Sequence, residues 1–211
     1  TTLLSKARKA MIRQGIEVIK KNALTKDLLL ALISSCSDSL NDIRDKALLL
    51  FAFASGGRRR SEIANATIEH LRPVEIGYVY HMPYSKTDQE GEGKEVPVLG
   101  QAALALNAWL KASGITEGPL FRSITKGGVL GEGITDKTVA RIVKKRARMA
   151  GLDPTLFSAH SLRSGFITEA GRQGKALADA MALSGHRSLR VALGYHQAGS
   201  VINNSAALLM D

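Results

Sequence analysis

Two basic side chains stand three residues apart in the stretch Ser158-Ala159-His160-Ser161-Leu162-Arg163-Ser164-Gly165. On a helix such positions share a face. A guanidinium offers a planar fork to two phosphate oxygens, and an imidazole adds a further donor. Ser158 is placed to cap such a helix, which puts the pair in its first turn. There the backbone N–H groups also favour an anion. The chemistry this pair can do is anion binding. On its own, a surface His and Arg at this spacing carries little meaning.

Further along come Leu183-Ser184-Gly185-His186 and Ser188-Leu189-Arg190-Val191-Ala192-Leu193-Gly194-Tyr195. On one unbroken helix, His186 and Tyr195 would be separated by about 900° and lie on opposite faces. If both serve one site, the helix must break between them. Gly185 can end one helix and Ser188 can cap the next. A tyrosine here is otherwise a buried ring with a satisfied hydroxyl. Upstream, Gly56-Gly57-Arg58-Arg59-Arg60-Ser61-Glu62 sets three arginines at a helix start beside one carboxylate. That cluster reads equally as a basic surface for a DNA backbone. A polar, glycine-bearing loop carries Lys86 between Ser85 and Thr87.

These residues need elements to hold them. Residues 3–22 read as a basic helix with Lys6, Arg8, Lys9, Arg13, Lys20 and Lys21 against Glu17. Thr25 is a plausible cap for the apolar run Leu28–Ile33, and a third helix covers about Leu40–Ala54. A short helix begins near Arg60. The period then changes: Ile76–Tyr84 and Lys94–Leu99 have strand character, and Pro97 marks the second as an edge. Helices resume over Gln101–Ala112, Asp136–Ala150, Ala159–Arg172, Ala176–Leu183 and Leu189–His196. The tail Val201–Met210 is apolar. The expected class is mainly α with a small antiparallel β-hairpin or sheet, an α+β chain.

The 211 residues allow one sizeable core. Twenty-nine Lys and Arg face 19 Asp and Glu, so the net charge is +10, which points to a polyanionic partner. No apolar run reaches the length of a membrane span. A single cysteine, Cys36, excludes an internal disulfide and suggests a reducing compartment. Aromatic residues make up 5%, which weighs against single-strand binding by stacking. No carboxylate or Cys/His cluster has metal-ligand spacing. The chain opens on Thr1-Thr2 without Met, which suggests a fragment or processed product.

Taken in order, the residues are specific: an Arg-x-Ser-Glu, a hairpin lysine, a His-x-x-Arg, a Gly-His, and a tyrosine nine residues after that His. Over about residues 40–197 this resembles the catalytic domain of the tyrosine recombinase (phage integrase) family. The resemblance assigns Arg59, three before Glu62, as the first arginine. Arg58 takes a place where the family more often has an apolar residue. Lys86 matches the hairpin lysine, with Lys94 as its rival. His160 and Arg163 match the His-x-x-Arg box, His186 the second histidine and Tyr195 the nucleophile. Glu62 resembles the acid that helps fix the site, and Arg58 and Arg60 are candidates for contact with DNA. His196 has no assigned role.

The resemblance implies a mechanism. Tyr195 attacks a phosphodiester and forms a 3′-phosphotyrosyl bond, keeping the bond energy for rejoining. Arg59 and Arg163 clamp the non-bridging oxygens, helped by His186. Lys86 protonates the departing 5′-oxygen. His160 accepts the tyrosine proton or orients the phosphate. No cofactor or metal is expected. The implied activity is site-specific recombination or integration. A type IB topoisomerase-like strand transferase and a non-catalytic DNA-binding module are the alternatives. The implied partner is duplex DNA, with a homotetramer assembled on it by exchange of the C-terminal tail, Ala206–Met210. Packing of that tail on its own core is equally open. Residues 1–24 are expected to be the end of a truncated core-binding domain or a linker, and 25–211 the catalytic domain with its tail. The expected location is cytoplasmic, on the nucleoid of a bacterium or of a host carrying a phage or mobile element.

Overall fold

A computed structural model of the chain describes residues 21–83 and 93–201. The basic helix expected over residues 3–22, the Lys86 loop and the tail beyond Val201 lie outside these, apart from Lys21 and Asn22. Eight α-helices are present among the described residues, with a three-stranded and a two-stranded antiparallel sheet.

The first helices form the base of the core. Helix α1 (Lys26–Ser34) is followed by α2 (Leu40–Ala54), whose Ser39 cap accepts from the Asp42 N–H at 3.3 Å. Leu48, Leu49, Phe51 and Ala52 of α2 are buried. A turn through Gly56 and Gly57, both at positive φ, leads into the short α3 (Arg60–Ala64). Backbone of that kind favours glycine because it carries no Cβ.

The sheet comes next. Strands β1 (Leu71–Val74), β2 (Gly77–Met82) and β3 (Lys94–Leu99) run antiparallel in that order. Tyr80 pairs with Val96 and Met82 with Lys94. Tyr80, Met82, Val96 and Val98 are buried, following the two-residue period of a sheet with one covered face. The Phe51 ring meets those of Tyr80 and Phe121 edge-on, at 5.4 and 5.6 Å between centroids. Helix α4 (Gln101–Ser113) buries Leu106 and Trp109 in the same core, and the indole N–H donates to the Leu120 carbonyl at 2.7 Å.

Beyond α4, strands β4 (Arg122–Ile124) and β5 (Leu130–Gly133) form a second small hairpin. The sequence led to one hairpin; the structure adds β1 and this pair. Helix α5 (Asp136–Met149) buries Val139, Ile142, Val143, Arg146 and Ala147, the stripe of an amphipathic helix. Arg146 closes a buried ion cluster with Asp42 and Asp45 of α2, bonding Asp45 Oδ2 at 2.6 Å and Asp42 Oδ1 as well. This bracket ties α5 to α2.

Three helices complete the chain: α6 (Ala159–Arg172), α7 (Leu177–Ser184) and α8 (Leu189–Ser200). The expected break holds, with Gly185 ending α7 and Ser188 capping α8 through the Val191 N–H at 3.3 Å. Helix α8 runs to Ser200, one turn past the expected His196. Its approach to α6 is close: a Cβ on Gly171 would stand 2.1 Å from the His196 carbonyl oxygen.

Candidate active site

The first turn of α6 presents His160 and Arg163 as their spacing predicts. Its start is fixed by the Ser158 N–H donating to Ser161 Oγ at 3.0 Å. Helix α8 then brings Tyr195 across, and its hydroxyl lies 3.4 Å from His160 Nε2. The Tyr195 ring packs against the small apolar cluster of Ile167, Ala170 and Ala180. The His196 ring is 2.8 Å from the Lys175 carbonyl, which tethers the same helix. His160 and the neighbouring Arg58, Arg59, Arg60 and Arg163 line one cleft of about 410 Å³.

The arginines of the cleft are not equivalent. Arg59 is part-exposed, and Glu62 holds it twice. Its backbone N–H donates to Glu62 Oε2 at 3.0 Å and its Nη1 to Oε1 at 2.6 Å. Arg60 is exposed and reaches Asp136 Oδ2 at 3.0 Å. Arg163 is buried and donates Nη1 to the Ser184 carbonyl at 2.6 Å. Arg58 differs from its expected place on a DNA-facing surface: its side chain is 2% exposed, with Nη2 2.6 Å from the Leu183 carbonyl. The glycine turn directs it inward, where it forms part of the cleft floor. That turns Arg58 from a candidate DNA contact into an internal cation.

The electrostatics follow from this crowding. Burial, then the charges of Arg59 and Arg58, lower the Arg163 pKa to about 10, so it stays charged at neutral pH. Burial and the neighbouring arginines, Arg163 first, push His186 down to about 4. Partial desolvation, then Arg163 and Arg59, also lower the His160 pKa. Both imidazoles are therefore neutral at pH 7, and His160 can offer a lone pair to the tyrosine proton. Glu62 is the carboxylate within salt-bridge reach of Arg58 and Arg59. An anion entering here meets several positive donors and little competition.

The structure also shows what spacing could not. Ser184 Oγ lies 2.7 Å from His186 Nδ1 and orients that ring. Lys94, the rival lysine, reaches the carbonyls of Ala182 and Leu183 at the end of α7. Lys86 lies outside the described residues. Next to the cleft, which Ala140 of α5 lines, Lys137, Arg141, Lys144 and Arg148 of the same helix are exposed and give the surface a basic stripe. Such a stripe suits a phosphate backbone.

Comparison with known proteins meets this geometry at the level of the whole domain. An integrase/recombinase described as a XerD homolog, from Selenomonas ruminantium, is 38% identical over 176 residues, covering 80% of this chain and 51% of its own length. The chain thus spans about half of that relative. The XerH recombinase in a post-cleavage complex with a palindromic difH substrate superposes with a TM-score of 0.68 at 18% identity, over 90% of this chain and 53% of that one. A lambda integrase tetramer bound to a Holliday junction gives 0.59 at 18% identity, over 93% and 57%. At these identities the solved structures establish the fold. The model of the phage integrase family matches residues 22–199, nearly all of the described chain, and with the curated relative it places this protein in the phage integrase family of tyrosine recombinases.

Proposed function

We propose that the protein is a site-specific DNA recombinase or integrase, cutting and rejoining duplex DNA through a phosphotyrosine. The carrying observation is the 3.4 Å approach of His160 Nε2 to the Tyr195 hydroxyl at a cleft lined by Arg59 and Arg163. In the reaction, the Tyr195 oxygen bonds to phosphorus while the bond to the 5′-oxygen breaks. The tyrosine proton passes to His160. The departing 5′-oxygen takes a proton from Lys86, and rejoining reverses each transfer. Arg59 and Arg163 balance the charge that grows on the non-bridging oxygens. Preorganised donors of this kind contribute about two to three powers of ten each. His186, held by Ser184, adds a hydrogen bond to the same phosphate.

Duplex DNA is the proposed partner, held through the basic stripe of α5 and Arg60. Assembly on DNA is proposed to be a homotetramer. An apolar groove of about 340 Å³, lined by residues that include Phe53, Phe166, Ala180 and Leu183, is the proposed docking place for apolar side chains of the tail Ala206–Met210 of a second copy. Deleting residues 206–211 is expected to leave DNA binding intact and abolish the higher assembly on DNA. An unchanged assembly would overturn the tail exchange.

The test of the reading is covalent trapping on nicked suicide duplexes tiled across the DNA that flanks the gene, in EDTA. Wild type is expected to form a protein–DNA adduct that survives denaturant, and Tyr195→Phe to form none. Binding without an adduct on any duplex would instead favour a non-catalytic DNA-binding module.

A further inference from the structure

The last turn of α7 is held by three cations from three separate elements. Arg58, in the α2–α3 turn, donates Nη2 to the Leu183 carbonyl at 2.6 Å. Lys94 of β3 reaches the same carbonyl at 3.2 Å and the Ala182 carbonyl as well. Arg163 of α6 takes the Ser184 carbonyl at 2.6 Å. Carbonyls at a helix C-terminus lack intrahelical partners and carry the negative end of the helix dipole, so cations are favourable there. His186 follows two residues later, bonded to Ser184 Oγ.

Arg58 is the costly member of the three. It is buried, Nη1 lies 3.6 Å from Met82 Sδ and 3.9 Å from Glu62 Oε2, and Nε has no partner among the described residues. An apolar side chain would fill that space without a desolvated charge. The backbone is shaped to admit it: a Cβ on Gly56 would stand 2.6 Å from both Arg58 Nη2 and the Leu183 oxygen. A guanidinium is needed there to grip Leu183 and reach β2 at once.

We propose that Arg58 is a positioning residue for DNA cleavage. By tying Leu183 to the α2–α3 turn and to strand β2, it sets Ser184 and His186 in register with Arg59 and Arg163. This rests on the DNA-cleavage reading above. Arg58 acts through His186 and does not touch the phosphate. Burial, then the nearby charges of Arg58 and Arg163, lower the Lys94 pKa, in keeping with cations packed this closely.

The test compares Arg58→Met, Arg58→Lys and His186→Ala, singly and combined, in the protein as its gene encodes it. The cleavage rate is measured at saturating DNA, and DNA affinity separately. Arg58→Met is expected to lower the saturated rate by about 10²-fold, the usual cost of misplacing a group by an ångström, with affinity close to wild type. Arg58→Lys should recover part of the loss. In the His186→Ala background, Arg58→Met should add little, because the two act through one group. A loss in affinity alone, a full additional loss beside His186→Ala, or no loss at all would overturn the proposal. Should Arg58→Met fail to fold, Arg58→Lys carries the same cycle. The His186 ring resonances, read by NMR without DNA, should move in Arg58→Lys; unmoved resonances would overturn the proposal. This last reading needs no turnover. A wild-type protein that forms no adduct would therefore sink the cleavage reading while Arg58 is still tested.

Discussion

Arg146 and Arg163 are both buried arginines, at 0% and 5% exposure, and their surroundings differ in one respect. Arg146 faces two carboxylates, Asp42 and Asp45, and its pKa is raised because those partners outweigh the cost of burial. Arg163 faces carbonyl oxygens and two other arginines, and its pKa falls to about 10. The first is a closed ion pair that joins α2 to α5. The second has no carboxylate in salt-bridge reach among the described residues, and the opposing charge nearby, Glu62, is already held by Arg59. One fold thus uses the same side chain as a brace and as a binding group. A brace brings its own anion, whereas a binding group waits for the ligand's.

The largest loss of stability is expected at the brace. Arg146→Ala leaves Asp42 and Asp45 buried without their main partner, and a loss of about 3–5 kcal/mol in denaturant unfolding is expected. A much smaller loss would mean that Lys145, 3.3 Å from Asp45 Oδ2, takes over. At the cleft the expectation reverses. Arg163→Met should lower the cleavage rate by about 10²–10³-fold with a smaller loss of stability than Arg146→Ala, because it gives up bonds to the Ser184 and Gly57 carbonyls and no ion pair. A large fall in melting temperature with normal cleavage would make Arg163 a second brace. Gly171→Ala should cost about 1–3 kcal/mol, because its Cβ meets backbone rather than a yielding side chain. It should also slow adduct formation, since α8 carries Tyr195. Normal cleavage by a stable Gly171→Ala protein would show that α8 can shift without consequence.

Acid separates the two regions more gently. Burial raises the Asp42 pKa, but hydrogen bonds from Ser37 and Arg146 outweigh it and hold the carboxyl well below the usual carboxylate range. The folded-state value is thus below the unfolded one. Its stabilisation is complete above the unfolded-state pKa of about 4 and is lost as pH falls below that. Arg146→Ala should flatten this acid limb of a stability–pH curve. His186 behaves differently. It resists protonation down to about 4 in the fold, whereas the unfolded chain takes the proton near 6.5. Stability should therefore fall slightly from pH 6.5 towards 4, and bound DNA phosphate should raise the His186 value. Histidine NMR titration with and without duplex checks both signs.

Much of this was legible because local rules and the site agree. His160 and Arg163 share a helical face at a capped N-terminus, and the break at Gly185 and Ser188 uses common stop and start residues. Core helices such as Leu40–Ala54 declare themselves by their apolar period. What stayed hidden depends on distant partners. Strand β1 contains Pro73 and is a strand because β2 pairs with it. Strands β4 and β5 are too short to carry a period. The inward turn of Arg58 depends on a carbonyl 125 positions away, and nothing near Arg58 in sequence announces it. Ser184 acquires its role only once α7 ends beside His186. The extra turn of α8 is likewise set by its close packing on α6.

Tyr195 is proposed as the nucleophile that the basic cleft serves. The most direct measurement is to trap the adduct on a suicide duplex in EDTA, digest it, and identify by mass spectrometry the peptide that carries nucleotide. A phosphodiester-linked nucleotide is expected on the peptide containing Tyr195, and on no other. Nucleotide attached elsewhere, or DNA cut with free ends and no attached protein, would contradict it.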